Sequence, residues 1–288
     1  MILNNNTSPL AFYESLDKQL HRQWHAYSRV YSLLCPYRKL LPFQIIVDEG
    51  TTAVTQATLI NVTTGSSNSI MSYLTSNGLT HVNKSGYDII YFPADSTLPF
   101  DTPEGLYYIV LSSGTRTFYS EVFNIVRTFN ENRIVKLYYW DNSDLEFVLS
   151  KGNIAYDNRF KHIVYLQAEI SKPQYVIEEE VEKRDGFEFI EKQVRKKMYR
   201  FTFLAPEYLC DAMSLVHMHD NIVILHKGIT YDVHDILFTP SWQDDGFLAS
   251  VEVEFSSATV IKKIGKQYPR AISGDFNNDY NDDYFKTI

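Results

Sequence analysis

The chain has 288 residues, a formal net charge of −8 and a pI near 5.5, a balance that argues against a broad electrostatic grip on nucleic-acid phosphates or an anionic membrane. Its length suits two domains of ordinary size, and a hydrophobic content of 44% is enough for a core in each. Aromatic residues reach 15%, with 21 Tyr and 18 Phe, a composition that suits strands and protein contacts.

The first residues, MILNNNTSPL, are polar and read as loose. They carry neither the basic region nor the apolar stretch of a secretory signal, and no run in the chain reaches bilayer length, so synthesis and solubility in the cytosol are expected. Phe12, Leu16, Leu20 and Trp24 fall four apart, the spacing of one helical face, and Pro36 ends what precedes it. Residues 1–39 are therefore expected to form a partly helical N-terminal arm.

Residues 40–127 read as an antiparallel β-sandwich. Apolar or alternating runs occur at 41–47, 57–62, 87–92, 106–112 and 117–126, separated by turn-rich pieces such as Thr64 to Asn68 and Asp101-Thr102-Pro103. The last two runs, joined through Ser113-Gly114, make a hairpin.

Residues 128–266 read as a second β-rich domain with one short helix. Ile134 to Trp140 is a strand, Asp141 to Asp144 a turn, and Leu145 to Leu149 returns beside the first run; another strand is expected over 160–170. Residues 173–203 form a long hairpin about Asp185-Gly186. That turn places Lys183 opposite Glu188, Val181 opposite Ile190, Glu179 opposite Lys192 and Ile177 opposite Val194, all on one face, and leaves Glu180 opposite Glu191 as one poor pair. Charge near the tip on both faces means the hairpin projects, and these eight residues are the candidate assembly interface. Pro206 opens a short helix; strands follow at 221–226, 229–235 and 248–255, and 267–288 is a flexible acidic tail.

Motifs that carry chemistry are scarce, and neither an enzyme nor a cofactor is expected. His217 and His219 stand as metal ligands might at i and i+2 of a strand, with His226 and His234 nearby, but nothing in their spacing makes them converge. The run from Gly274 resembles the opening of a calcium loop, yet Tyr280 replaces the sixth-position Gly and Lys286 the twelfth-position Glu. Cys35 and Cys210 read as buried thiols in a reducing compartment. Trp24, Trp140 and Trp242 suit core packing better than sugar stacking. No Gly-x-Ser-x-Gly elbow, phosphate-cradling loop or dinucleotide fingerprint is present.

The phrase Gly105, Tyr107, Tyr108, then Tyr119, Ser120, Glu121 and Phe123, preceded by LPFQIIV and YDIIYF, resembles a "G-x-Y-Y … Y-S-E-x-F" phrase of uncharacterised virion proteins of Bacteroidetes phages and prophages. The later run PEYLCDAMSLVHMHDNIVILHKGITYDV is similar to the same proteins, and the likeness spans roughly residues 36–265. The order of strand pair, long hairpin, helix and closing strands also resembles the phage tail-tube and distal-tail fold. The resemblance implies a non-enzymatic virion structural protein forming a ring or adaptor in the tail, baseplate or neck. Its implied partners are further copies of itself and neighbouring tail or neck proteins, with no nucleic-acid specificity and no membrane. In that reading 173–203 is the assembly arm, 129–265 the ring-forming unit and 40–126 a decorating sandwich. Two alternatives stand beside it: a carbohydrate- or receptor-binding sandwich using its tryptophans, and a metal-dependent enzyme using the His217–His219 region.

Overall fold

Most of the alternating apolar runs become strands in the computed structural model, which describes residues 2, 8–16, 31–93, 97–142, 145–149, 152–156, 160–184, 187–242, 247–257 and 261–264. The architecture is mainly β. The first half contributes β1 (Phe12–Tyr13), β2 (Leu33–Pro36), β3 (Phe43–Asp48), β4 (Gln56–Asn61), β5 (Ser67–Ser69), helix α1 (Met71–Ser76), β6 (Thr80–Lys84), β7 (Tyr87–Phe92), β8 (Gly105–Ser113), β9 (Arg116–Ser120) and β10 (Phe123–Val126). One sheet runs β1-β9-β8-β10-β2 with β4 on β8 and β5 on β4; a second runs β3-β7-β6. The ladders of both sheets are antiparallel except β10 with β2, which is parallel.

Alternation sets which residues meet. Tyr107, Ile109 and Leu111 of β8, Ala57 and Leu59 of β4 and Phe118 of β9 are buried in one cluster with Phe43, Ile45, Ile90 and Phe92 of the other sheet. The Phe43 ring lies 5.0 Å from Phe12 and 5.6 Å from Phe92. The β8–β9 turn needs a glycine: Gly114 has φ +58, and a Cβ there would stand 2.7 Å from Thr52 Oγ1.

β7 is buried along its whole length, and β3 nearly so. Both strands therefore bury residues on both faces, Gln44 and Asp88 included, the mark of a sheet covered on two sides. One side is the sandwich core; on the other, Ile46, Ile89 and Tyr91 cluster with Phe160, which comes from the second half of the chain.

That half contributes β11 (Ile134–Trp140), β12 (Leu145–Leu149), β13 (Gly152–Tyr156), β14 (His162–Gln167), β15 (Gln174–Arg184), β16 (Phe187–Ala205), helix α2 (Glu207–Ser214), β17 (Asn221–His226), β18 (Ile229–Ser241), β19 (Ala249–Ser257) and β20 (Ile261–Ile264). Its main sheet has the order β14-β11-β17-β18-β19-β16-β15, with β20 also on β16. The inward residues Val135, Leu137, Val164, Leu166, Phe201, Phe203, Ile224, Val251, Val253 and Phe255 enclose a core completed by Leu209, Ala212 and Met213 of α2. Pro206 caps α2, where a missing N–H costs nothing. Apolar burial continues between the halves: β2 lies against β14, and Leu33 and Cys35 belong to the same cluster as Val164 and Leu166.

Three expectations are corrected. Phe12 is in a strand, paired through Phe12↔Ser120, because its ring completes the sandwich core rather than one face of a helix. Leu20 and Trp24 lie outside the described residues. The start is not wholly loose, since Ile2 bridges Val47 and Ser8 to Leu10 are buried. Finally, β12 pairs with β13 and not with β11, whose two edges are taken by β14 and β17.

Phe160 joins the halves at Tyr91, 5.9 Å between ring centroids. Replacing it with Ala should lower stability by about 3–5 kcal/mol, read as a fall in the urea midpoint. Exposed Trp242→Ala should change stability by no more than about 0.5 kcal/mol.

Candidate functional site

The character of β16 changes along its length. Toward its C-terminal end Phe201, Phe203 and Ala205 are buried and alternate with exposed Thr202 and Leu204, the pattern of a strand with one face in a core. That part pairs with β19 from Ala205↔Ala249 to Met198↔Ser256. Before Met198 the sequence turns basic, with Lys192, Arg195, Lys196 and Lys197, and the strand continues to Phe187 beyond the end of β19. There its partners are β15 on one side and, over Lys192 to Arg195, β20 on the other. β15 has 11 residues, so at about 3.3 Å per residue the arm is on the order of 35 Å long.

The arm's register confirms two of the expected pairs, Lys183↔Glu188 and Val181↔Ile190. Below them it departs from expectation. The ladder slips between Glu180 and Val181, so Glu180 meets Lys192, Glu179 meets Gln193, Glu178 meets Val194 and Ile177 meets Arg195. Glu191 is the extra residue of a β-bulge. Electrostatics gives the reason: a regular ladder sets Glu180 against Glu191, whereas the bulge sets it against Lys192, with Nζ 2.5 Å from Glu180 Oε1. Lys196 Nζ likewise reaches Glu178 Oε1 at 2.8 Å, and Gln193 Nε2 donates to Glu179 Oε1 at 2.7 Å. The ion pairs are solvent-exposed and contribute at most about 1 kcal/mol each, so they set register more than stability.

The bulge also redistributes the candidate interface between two faces. By register, Ile177, Glu179, Val181 and Lys183 share a face with Glu188 and Ile190; Lys192 and Val194 belong to the opposite face, with Glu178 and Glu180. Ile177 is 62% exposed, Tyr175 54%, Ile190 48% and Val181 43%, whereas Val194 is 6% exposed. The first face thus carries an apolar stripe open to solvent, and Val194 is removed from it. Tyr175, absent from the expected set, holds Arg195 at 4.6 Å from its ring centroid. β20 was also missed, because a four-residue IKKI run is too short for its period to register.

The histidines do not assemble a metal site. His217 lies on a 3-10 turn and His219 just past its end, neither in a strand, and His217 is exposed while His219 is buried. His226 Nδ1 is 3.0 Å from the Ile134 carbonyl, and His234 is exposed. Among the described residues no cluster of three or more His, Cys, Asp or Glu side chains is placed to hold a metal. The calcium-loop likeness falls outside the described residues.

His219 belongs instead to a buried titratable group at the join between the halves. Its Nε2 lies 3.8 Å from Asp141 Oδ2, whose other oxygen accepts the Asp220 N–H at 3.0 Å. Tyr139 stacks on His162 at 4.6 Å and meets His219 edge-on at 4.7 Å, and Phe160 meets His162 edge-on at 4.7 Å. Burial pushes the His162 pKa well down, with His219 adding to it; burial also lowers His219 and raises Asp141.

The tryptophans and cysteines offer little chemistry. Lys161 Nζ sits 4.0 Å over the Trp140 ring, and Lys136 lies between Tyr138 and Tyr165 at 4.6 and 5.1 Å, so the chain's own ammonium groups already lie against these rings. Trp242 is exposed but lies past Ser241 at the far end of β18; Trp24 is outside the described residues. Burial, then Asp211 and Glu207, push the Cys210 thiol up to about 11, and burial raises Cys35 further, so neither is an activated nucleophile. The hairpin phrase is structural: Ile109 N–H donates to Ser120 Oγ at 2.8 Å, and the Tyr107 hydroxyl donates to the Pro103 carbonyl at 2.9 Å.

No protein-family model matches the chain, and no curated protein matches it.

The buried histidines give the fold a pH dependence. Unfolded, each takes a proton near its ordinary value of 6.5; folded, each resists it. Below that pH the unfolded state binds more protons, so stability falls as pH falls. The urea midpoint should drop from pH 7.5 to 5.5, and His162→Phe should flatten that slope.

Proposed function

We propose that this chain is a non-enzymatic structural protein of a bacteriophage virion, one that oligomerises as a ring or adaptor in the tail, baseplate or neck. The observation that carries the reading is the arm of β15 and β16, which extends beyond β19 and keeps Ile177, Val181, Ile190 and Tyr175 in water. Between Lys192 and the tip, past the end of β20, the arm is only two strands wide; such a ribbon is marginal alone, and an exposed apolar stripe on it favours a partner.

Magnitudes support burial between neighbours. Two strands about 4.8 Å apart and about 35 Å long give a face on the order of 350 Å². A stable interface needs about 800 Å² per partner. One face is too small and two together approach that area, so an arm held between neighbouring molecules fits better than one touched from a single side. In this reading 173–203 is the assembly arm, 129–265 the ring-forming unit, and 40–126 a sandwich that decorates the ring or adapts it to a neighbour. The partners are further copies and adjacent tail or neck proteins; the place of action is the virion, after synthesis in the bacterial host's cytoplasm. The resemblance of the Gly105 to Phe123 phrase to phage virion proteins supports the setting, and the arm supports the role.

The test separates folding from assembly. Val181→Asp with Ile190→Asp should leave the thermal midpoint within a few degrees of the parent while abolishing rings or discrete oligomers in negative-stain images. Unchanged particles from the double variant would remove the arm from the interface.

A further inference from the structure

The two edges of the large sheet are treated differently. β14, at one end, lies against β2 of the same chain, without a ladder between them. β15, at the other end, has β16 as its ladder partner and no second one among the described residues, and its described side chains are exposed from Gln174 to Val181 on both faces. A bare edge of this length templates further pairing unless something blunts it. Neither a proline nor a bulge interrupts β15 itself.

A second open edge lies on the other side of the arm. β20 pairs with β16 through Lys192↔Ile264 to Arg195↔Ile261, and its far edge has no ladder partner among the described residues. Over this stretch the arm is a ribbon ordered β15-β16-β20. The outer strands differ in charge: β15 carries Glu178, Glu179, Glu180 and Glu182 against Lys183 and Arg184, whereas β20 is Ile-Lys-Lys-Ile, with Lys262 and Lys263 and no acid.

We infer that the β15 edge of one molecule is closed by the β20 edge of a second copy, in a head-to-tail contact; the inference rests on the arm's proposed role in assembly. Charge selects this pairing over the symmetric ones. Two β15 edges meeting about a two-fold axis through Glu179 set a glutamate run against a glutamate run, and two β20 edges set lysines against lysines, both repulsive across a ladder. The crossed pairing sets acid beside base, as β15 and β16 already do through Glu180–Lys192 and Glu178–Lys196. Direction also fits. β15 and β20 each run antiparallel to β16, so they are parallel to one another, and copies related by rotation about an axis along the arm bring them together in parallel. A contact between two different edges leaves the pair with one edge of each kind still open, so it continues from copy to copy and closes as a ring when the rotation permits. The acidic residues of 275–283 make the chain's own C-terminal segment a poor electrostatic match for β15.

Complementary charge reversal tests this. One variant carries Glu179→Lys and Glu180→Lys, the other Lys262→Glu and Lys263→Glu; each is checked for folding by its thermal midpoint and its mass is followed by light scattering. Each alone should self-associate at least tenfold more weakly than the parent, and an equimolar mixture should recover assembly, since each reversed edge then meets its complement. Assembly of either variant at the parent's strength would overturn the edge pairing while leaving the proposed function standing. A chain carrying all four reversals that joins the parent chain would show a symmetric contact of like edges and overturn the head-to-tail arrangement, since both crossed contacts between those two chains are then repulsive. Hydrogen exchange of the unmodified chain is independent of any variant. The outward amides of 175–183, the alternate ones not bonded to β16, should gain protection only at associating concentrations; their protection in the monomer would mean that the chain covers its own edge, and a parent chain monomeric throughout would remove the proposed function as well.

Discussion

The structure depends on one strand doing two jobs. The 19 residues of β16 run without interruption from Phe187 to Ala205. At one end Phe201 and Phe203 anchor the strand in the core of the second half; at the other, charged residues carry it into solvent. Because the strand is continuous, the core fixes the direction of the arm. An arm on a loop would search many orientations and lose entropy on docking, whereas this one is already placed. Its bulge at Glu191 then decides which side chains share a face.

The same economy appears where the halves meet. β3 and β7 have no solvent face, since the sandwich core lies on one side and Phe160 packs on the other. Phe160 touches Tyr91 on one side and His162 on the other, and His162 leads through Tyr139 to His219 and Asp141. A buried polar group therefore stands directly behind the apolar join. Its histidines stay neutral through burial, which makes the join sensitive to acid. The join between the halves thus rests on apolar burial and the neutral histidines, apart from the arm, whose apolar stripe stays open to solvent.

Much of the fold is visible in the sequence where one physical rule acts alone. Tyr87–Phe92 and Asn221–His226 have the bounds that their apolar runs suggest, and Pro206 marks the start of α2. The hairpin pairs nearest its tip are right because a two-residue turn leaves one register. Four residues further, charge overrides turn arithmetic, and Lys192 and Val194 change face. Phe12 and Leu16 fall at helical spacing, yet the Phe12 ring is needed in the sandwich, a tertiary demand that local spacing does not express. Non-local pairing is hidden for the same reason: nothing near Leu145 says that β11 already has a neighbour on each edge. Of the arm, the stripe of Ile177, Val181 and Ile190 is legible and the short strand β20 is not.

The central claim is that the arm exists to join one molecule to another. The most direct measurement is the mass of the purified full chain in solution by multi-angle light scattering over a hundredfold range of concentration. The account predicts a defined higher oligomer that dissociates on dilution. A strict monomer across the whole range would contradict it.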